Sequence, residues 1–231
     1  MTAFFMKINL PKQCLDIYDE ILHTLGRENT FLVGGFVRDT LLGRESQDLD
    51  IATPLSYERL KNLFSDALCF AKFSTFTFKK ADIHVTIASF RKEGAYLDHR
   101  HPSSITFVKE LSEDAKRRDF TINCLYVDST LEVLDSTGMG VSDIQNRVIR
   151  LIGDRNERIS EDPLRILRAL RFSEELGFTI EDETENALRQ HISDIRYLNP
   201  QKVQEELHKL DDKARRNVLM RLKTDYDCDI I

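Results

Sequence analysis

An α+β protein, a mixed sheet with helical cover followed by a purely helical part, is the fold class that the sequence predicts, and three observations predict it. Short apolar runs rich in branched and aromatic residues alternate with amphipathic segments up to about Ile144. From there onward the apolar residues recur at helical spacing alone. The chain has 231 residues, 41% hydrophobic and 31% charged, the composition of an ordinary globular protein with room for two small domains. The expected division is 1–147 for the mixed domain and 148–231 for the helical one, with the boundary region at Arg147 to Gly153.

Taken in order, Leu15, Tyr18, Ile21, Leu22 and Leu25 give a covering helix between Pro11 and Arg27, with Gly26 as its stop. The run Phe31 to Val33 reads as a buried strand, and Gly34-Gly35 follow at once. Two glycines there permit unusual backbone angles and a close approach of main-chain N–H groups to an anion. A short helix then starts around Phe36 and carries Arg38 in its first turn, a guanidinium fork suited to phosphate. After the turn Arg44 to Gln47, the strand Asp48 to Ala52 sets Asp48 and Asp50 on one face and Leu49 and Ile51 on the other. Read alone, such acids are ordinary solvated residues of a turn or edge strand. With the glycine pair and Arg38 a few residues away, they read instead as a divalent-metal site, because paired carboxylates repel unless a cation lies between them. Hard oxygen ligands suit Mg²⁺, which completes its shell with water and substrate phosphates.

Further along, Ser56 is a candidate N-cap for a helix whose buried face is Leu60, Leu63 and Phe64. Residues 68–79 and 82–91 read as adjacent strands, the second with Asp82, His84 and Thr86 on one face. Gly94 and Pro102 punctuate a mobile loop that returns to a strand at Ile105 to Val108. Lys116-Arg117-Arg118 taken as charges is a solvated basic cluster, whereas Arg118, Asp119 and Asn123 together have the chemistry to hold a triphosphate and a ribose hydroxyl. Strands at Leu125 to Val127 and Glu132 to Leu134 close the first domain.

In the helical part, Ile159 to Phe178 begins with Ser160 as a cap and Pro163 in the first turn, and ends at Gly177. Arg165, Arg168 and Arg171 recur every three residues, and Asp162 stands three before Arg165. On an exposed helix this is a surface salt bridge worth a few tenths of a kcal/mol. As chemistry, an Asp–Arg pair accepts from an exocyclic amino group and donates to a ring nitrogen, a pattern shared by cytosine and adenine and reversed in uracil and guanine. Helices at Glu181 to Ile192, Pro200 to Leu210 and Lys213 to Lys223 follow, the last basic and readable as a solvated tail.

The order GG-x-VRD-x-LLG, then DxD followed by Ile-Ala-Thr, then RRDFTIN, then EDxxRxxRxxRF resembles the head and neck of the class II tRNA nucleotidyltransferase (CCA-adding enzyme) and bacterial poly(A) polymerase family over roughly residues 25 to 210. The resemblance implies a polymerase-β-like head sheet, a helical neck, and addition of CMP and AMP from CTP and ATP to a tRNA 3′ end. It implies Mg²⁺ on Asp48 and Asp50 as the catalytic pair. Sugar and phosphates fall to Gly35, Arg38 and Arg118, base choice to Asp162 and Arg165, and support of the triphosphate to Arg168 and Arg171. Asp98, Arg100 and Pro102 match the loop of enzymes that add both C and A. A poly(A) polymerase, a CC-only or A-only enzyme, and a catalytically weak RNA-binding head are the alternatives. Two departures stand out: Thr86 occupies a position where relatives carry Glu, and the body and tail domains with which relatives grip tRNA do not follow in this sequence, a part that a homodimer or a separate body subunit could supply.

A net charge of −6 argues against a large nucleic-acid footprint. Cys14, Cys69, Cys124 and Cys228 lack metal spacing and read as thiols of a reducing compartment. With neither a signal-like apolar core nor a run near the roughly 20 residues of a membrane span, a cytoplasmic location is expected.

Overall fold

The computed structural model describes residues 6–96 and 102–230. The chain forms two compact units, one of Met1–Glu93, Ile105–Arg118 and Ile122–Ile144, the other of Gly94–Ser104, Asp119–Thr121 and Gln145–Ile231.

In the first unit the strands are β1 (Phe31–Val33), β2 (Asp48–Thr53), β3 (Leu68–Phe70), β4 (Thr75–Lys80), β5 (Ile83–Ser89), β6 (Arg91–Glu93), β7 (Ile105–Phe107), β8 (Leu125–Val127) and β9 (Val133–Asp135). Seven of them form one sheet in the order β3-β4-β5-β2-β1-β8-β9. All neighbours are antiparallel except β2 and β5, which run parallel in the register Asp48 to His84 and Asp50 to Thr86. β6 and β7 make a separate hairpin. Helices α1 (Lys12–Leu25), α2 (Gly35–Leu41), α3 (Tyr57–Leu63), α4 (Leu111–Lys116) and α5 (Gly140–Asn146) accompany the sheet.

Burial follows the alternation of β2: Leu49 and Ile51 are 0% and 2% exposed, while Asp48 is exposed and Asp50 half-buried. Each such Leu or Ile contributes about 1.5–3 kcal/mol by leaving water. Tyr18 of α1 is fully buried and donates to the Thr30 carbonyl at 3.1 Å, which ties the covering helix to the start of β1. Ser56 caps α3 by accepting from the Arg59 amide. Residues 68–79 do not form the single strand expected. Ser74, in the left-handed region at φ 47°, folds them into the β3–β4 hairpin, and its hydroxyl lies 2.6 Å from that of Ser89.

The second unit holds β10 (Val148–Ile149) and β11 (Thr179–Ile180), paired in parallel, with α6 (Arg155–Glu161), α7 (Leu164–Leu176), α8 (Asp182–His191), α9 (Pro200–Leu207) and α10 (Asp212–Tyr226). The expectation that Ser160 caps the arginine-bearing helix is corrected. Ser160 belongs to α6, which is capped by Asp154, and the chain is extended at Asp162 before α7 begins. The Asp162 carboxylate accepts from the Leu164 amide at 3.1 Å and so takes the capping role itself. Nor is α10 a solvated tail, since Val218, Leu222 and Tyr226 are buried and Asn217 donates to Glu174 at 2.6 Å. Among the described residues no helix is long and apolar enough to cross a membrane.

Candidate active site

Gly34 stands between β1 and α2 at φ 77° and ψ −147°, a conformation closed to side-chain-bearing residues. A Cβ on it would lie 3.0 Å from Asp50 Oδ2, so the glycine turn and the acid pair are fitted to one another. Gly35, the position expected to matter, is the first residue of α2, and the special backbone angle belongs to Gly34 alone.

Asp48 and Asp50 share the exposed face of β2, as their spacing predicts. Burial pushes the Asp50 carboxyl up to about 6; Arg118 pulls it down, Asp48 raises it and Arg38 lowers it. Thr86 is the register partner of Asp50, so the third position beside the acids carries a hydroxyl. Among the described residues no three His, Cys, Asp or Glu side chains cluster as a metal cage.

Arg38 is 5% exposed. It donates through Nε and Nη2 to Asp39 at 3.0 and 2.9 Å, and through Nη1 to Asn123 Oδ1 at 2.8 Å. Arg118 is not part of a solvated cluster. It donates to Asp114 Oδ2 and the Tyr126 hydroxyl, and its guanidinium lies 5.0 Å from the Tyr126 ring centre. Asp119 belongs to the second unit, where Oδ2 accepts from Arg168 Nε at 2.7 Å. Burial raises the Asp119 carboxyl, but Arg168 outweighs it and holds the group down at about 2.

In the second unit α7 carries the three arginines, and the surface salt-bridge reading fails for Arg165 and Arg171, which are 5% and 7% exposed. Arg165 donates to Glu161 at 3.0 Å and to the Arg158 carbonyl, and lies 5.9 Å from the Tyr96 ring centre. Arg168 joins Asp119 and stands 3.8 Å from Glu206. Arg171 donates to Glu206 and Glu175, both at 2.6 Å, with its guanidinium 4.1 Å from the Phe172 ring centre. Two partner carboxylates, Asp119 and Glu206, come from distant parts of the sequence, which is why i,i+3 spacing missed them. Asp98 and Arg100 lie outside the described residues, while Pro102 forms a bridge with Tyr96.

A central strand presenting two carboxylates beside a glycine turn, in a mixed seven-stranded sheet, is the architecture of a nucleotidyltransferase-type head. Residues 30–150 match the poly A polymerase head domain, and the chain belongs to that family. It is 40% identical to a CCA-adding enzyme of Staphylococcus aureus over 181 residues, 78% of this chain and 45% of the relative. The structure of the Bacillus stearothermophilus CCA-adding enzyme in complex with CTP is similar at TM-score 0.80 and 32% identity, over 92% of this chain and 52% of that one. The Thermotoga maritima CCA-adding enzyme complexed with tRNA is similar at TM-score 0.77 and 26% identity, over 96% and 54%. The chain thus spans about half the length of these relatives.

Proposed function

We propose that this chain transfers CMP and AMP from CTP and ATP to the 3′ end of tRNA, completing CCA and releasing pyrophosphate. The observation that carries the reading is the acid pair Asp48 and Asp50 on one face of β2, fitted against Gly34. Similarity to CCA-adding enzymes solved with CTP and with tRNA supports the substrate classes.

The donor set fits Mg²⁺: two carboxylates on one face, one of them raised by burial and in need of a compensating charge. Asp48 and Asp50 would hold the ion, which when bound supplies activation of a hydroxyl and neutralisation of a leaving pyrophosphate. The chain's own residues do the rest. Gly35, Arg38 and Arg118 hold sugar and phosphates, with Arg38 steadied by Asp39 and Asn123. Asp162 and Arg165 select the base by accepting from an amino group and donating to a ring nitrogen, and Arg168 and Arg171 support the triphosphate. The nucleophile is the RNA hydroxyl, so no Ser, Cys or His of the protein attacks. Functionally, residues 1–147 are the nucleotidyltransferase head and 148–231 the neck that reads the base, at work in the cytoplasm.

The test is incorporation of labelled CTP and ATP, separately and together, into tRNA lacking its CCA end, with Asp48→Ala as control. Ordered addition of two C and one A, lost in the variant, is expected. Long A tails would replace this reading with a poly(A) polymerase, and equal binding of all four nucleotides would overturn the roles of Asp162 and Arg165.

A further inference from the structure

A carboxylate that the proposed reaction does not use lies beneath Arg118. Asp114, in α4, is 0% exposed. Its Oδ1 accepts from the Arg91 amide at 3.1 Å and from Arg117 Nε at 2.8 Å. Its Oδ2 accepts from Arg118 Nη2 at 3.0 Å and from the Tyr126 hydroxyl at 2.6 Å. The same hydroxyl accepts from Arg118 Nε at 2.8 Å. Asp114, Tyr126 and Arg118 thus close a ring of hydrogen bonds, and the tyrosine ring supports the guanidinium from its face.

Stability alone is a poor reason for this arrangement. Burying a carboxylate with two guanidinium groups barely repays its desolvation, and apolar side chains of the same volume commonly do as well. Tyr126 lies in β8, where all three residues are buried, so its hydroxyl must find partners inside the protein, and those it finds are Asp114 and Arg118. What the ring does achieve is to fix a long, flexible side chain in one geometry, which lowers the ordering cost of binding. We propose that Asp114 and Tyr126 are positioning residues that hold the Arg118 guanidinium ready for the triphosphate of an incoming nucleotide. The inference rests on the reading of Arg118 as a phosphate-binding residue.

The test measures binding of Mg²⁺–CTP and Mg²⁺–ATP, and KM and kcat for incorporation, in Tyr126→Phe and Asp114→Asn, each alone and combined with Arg118→Ala. Tyr126→Phe is expected to weaken both nucleotides about 3–10-fold and Asp114→Asn about 10–100-fold. The losses should fall on KM and be alike for the two bases, because the triphosphate is common to both. Neither change should weaken binding further once Arg118 is alanine, since a residue that acts through another has no effect in its absence. Parent-like KM in both folded single variants would overturn the inference, as would losses that add fully to that of Arg118→Ala. If Asp114→Asn does not fold, Tyr126→Phe decides, because it keeps the ring and removes one hydroxyl. Parent-like binding in Arg118→Ala would remove the phosphate role of Arg118 and this inference with it. Absence of nucleotide binding in the parent would instead reject the proposed function.

Discussion

Replacing Glu206 by Gln tests whether the arginine stripe of α7 is held by a buried counter-charge. Glu206 is 2% exposed; Oε1 accepts from Arg171 Nε, Oε2 from Lys209 Nζ, each at 2.6 Å, and Arg168 stands 3.8 Å away. Burial raises its carboxyl, but Arg168, Arg171 and the hydrogen bond from Lys209 together outweigh that and leave it lowered. Removing one member of a buried pair costs about 3–5 kcal/mol when the other is left uncompensated. Here Arg171 keeps Glu175 and Arg168 keeps Asp119, so the expected cost is about 2–3 kcal/mol. In a chain of this length each kcal/mol moves the midpoint by about 2–4 °C, so Glu206→Gln should melt about 4–12 °C below the parent. The assay is thermal unfolding followed by circular dichroism at fixed protein concentration. Adding Arg171→Met should recover part of the loss, with a coupling of about 1 kcal/mol or more. A Glu206→Gln midpoint within about 1 °C of the parent would refute the reasoning.

Three further outcomes are expected. Gly34→Ala places a methyl 3.0 Å from Asp50 Oδ2 at φ 77°, so it should destabilise by about 1–3 kcal/mol in urea unfolding and abolish the rise in melting temperature that Mg²⁺ with CTP is expected to give the parent. The Asp119 carboxyl, held at about 2 in the folded chain, contributes stability that is complete above its ordinary value and is lost as pH falls toward 2. Between pH 5 and 2, Asp119→Asn should therefore show less loss of stability than the parent, by on the order of 2 kcal/mol in acid unfolding curves. Ser56→Ala removes the acceptor for the Arg59 amide and should cost about 1 kcal/mol in urea unfolding without altering nucleotide binding.

Much of the scaffold could be read along the chain because the signals are local. Leu49 and Ile51 against Asp48 and Asp50 declare a half-buried strand, Ser56 declares a cap, and Gly26 and Gly177 stop helices where the periodicity ends. The start of α7 was misread because Ser160, Glu161 and Asp162 all resemble a helix beginning, while Asp154 had already capped the preceding α6. The acids were legible and the partners of the basic residues were not. Asp119 and Glu206 meet the α7 arginines from distant sequence, and Tyr126 sits in an apolar strand where nothing marks its hydroxyl as polar machinery. Asp114 carried one faint signal, standing three and four residues before Arg117 and Arg118, the spacing of helical neighbours.

The parallel pairing of β2 with β5 also has a bearing on how the chain folds. Asp48 pairs with His84 and Thr53 with Ser89, and the chain between the two strands holds α3 and the β3–β4 hairpin. Pairings of this separation pay their loop-closure entropy before any contact repays it, and they slow folding. The strand that bears the two carboxylates therefore acquires its second neighbour late, and on a growing polypeptide not before Ser89 has emerged from the ribosome. Until then the two acids lie on a strand with one open edge, so the face they share takes its final form only when β5 is in place.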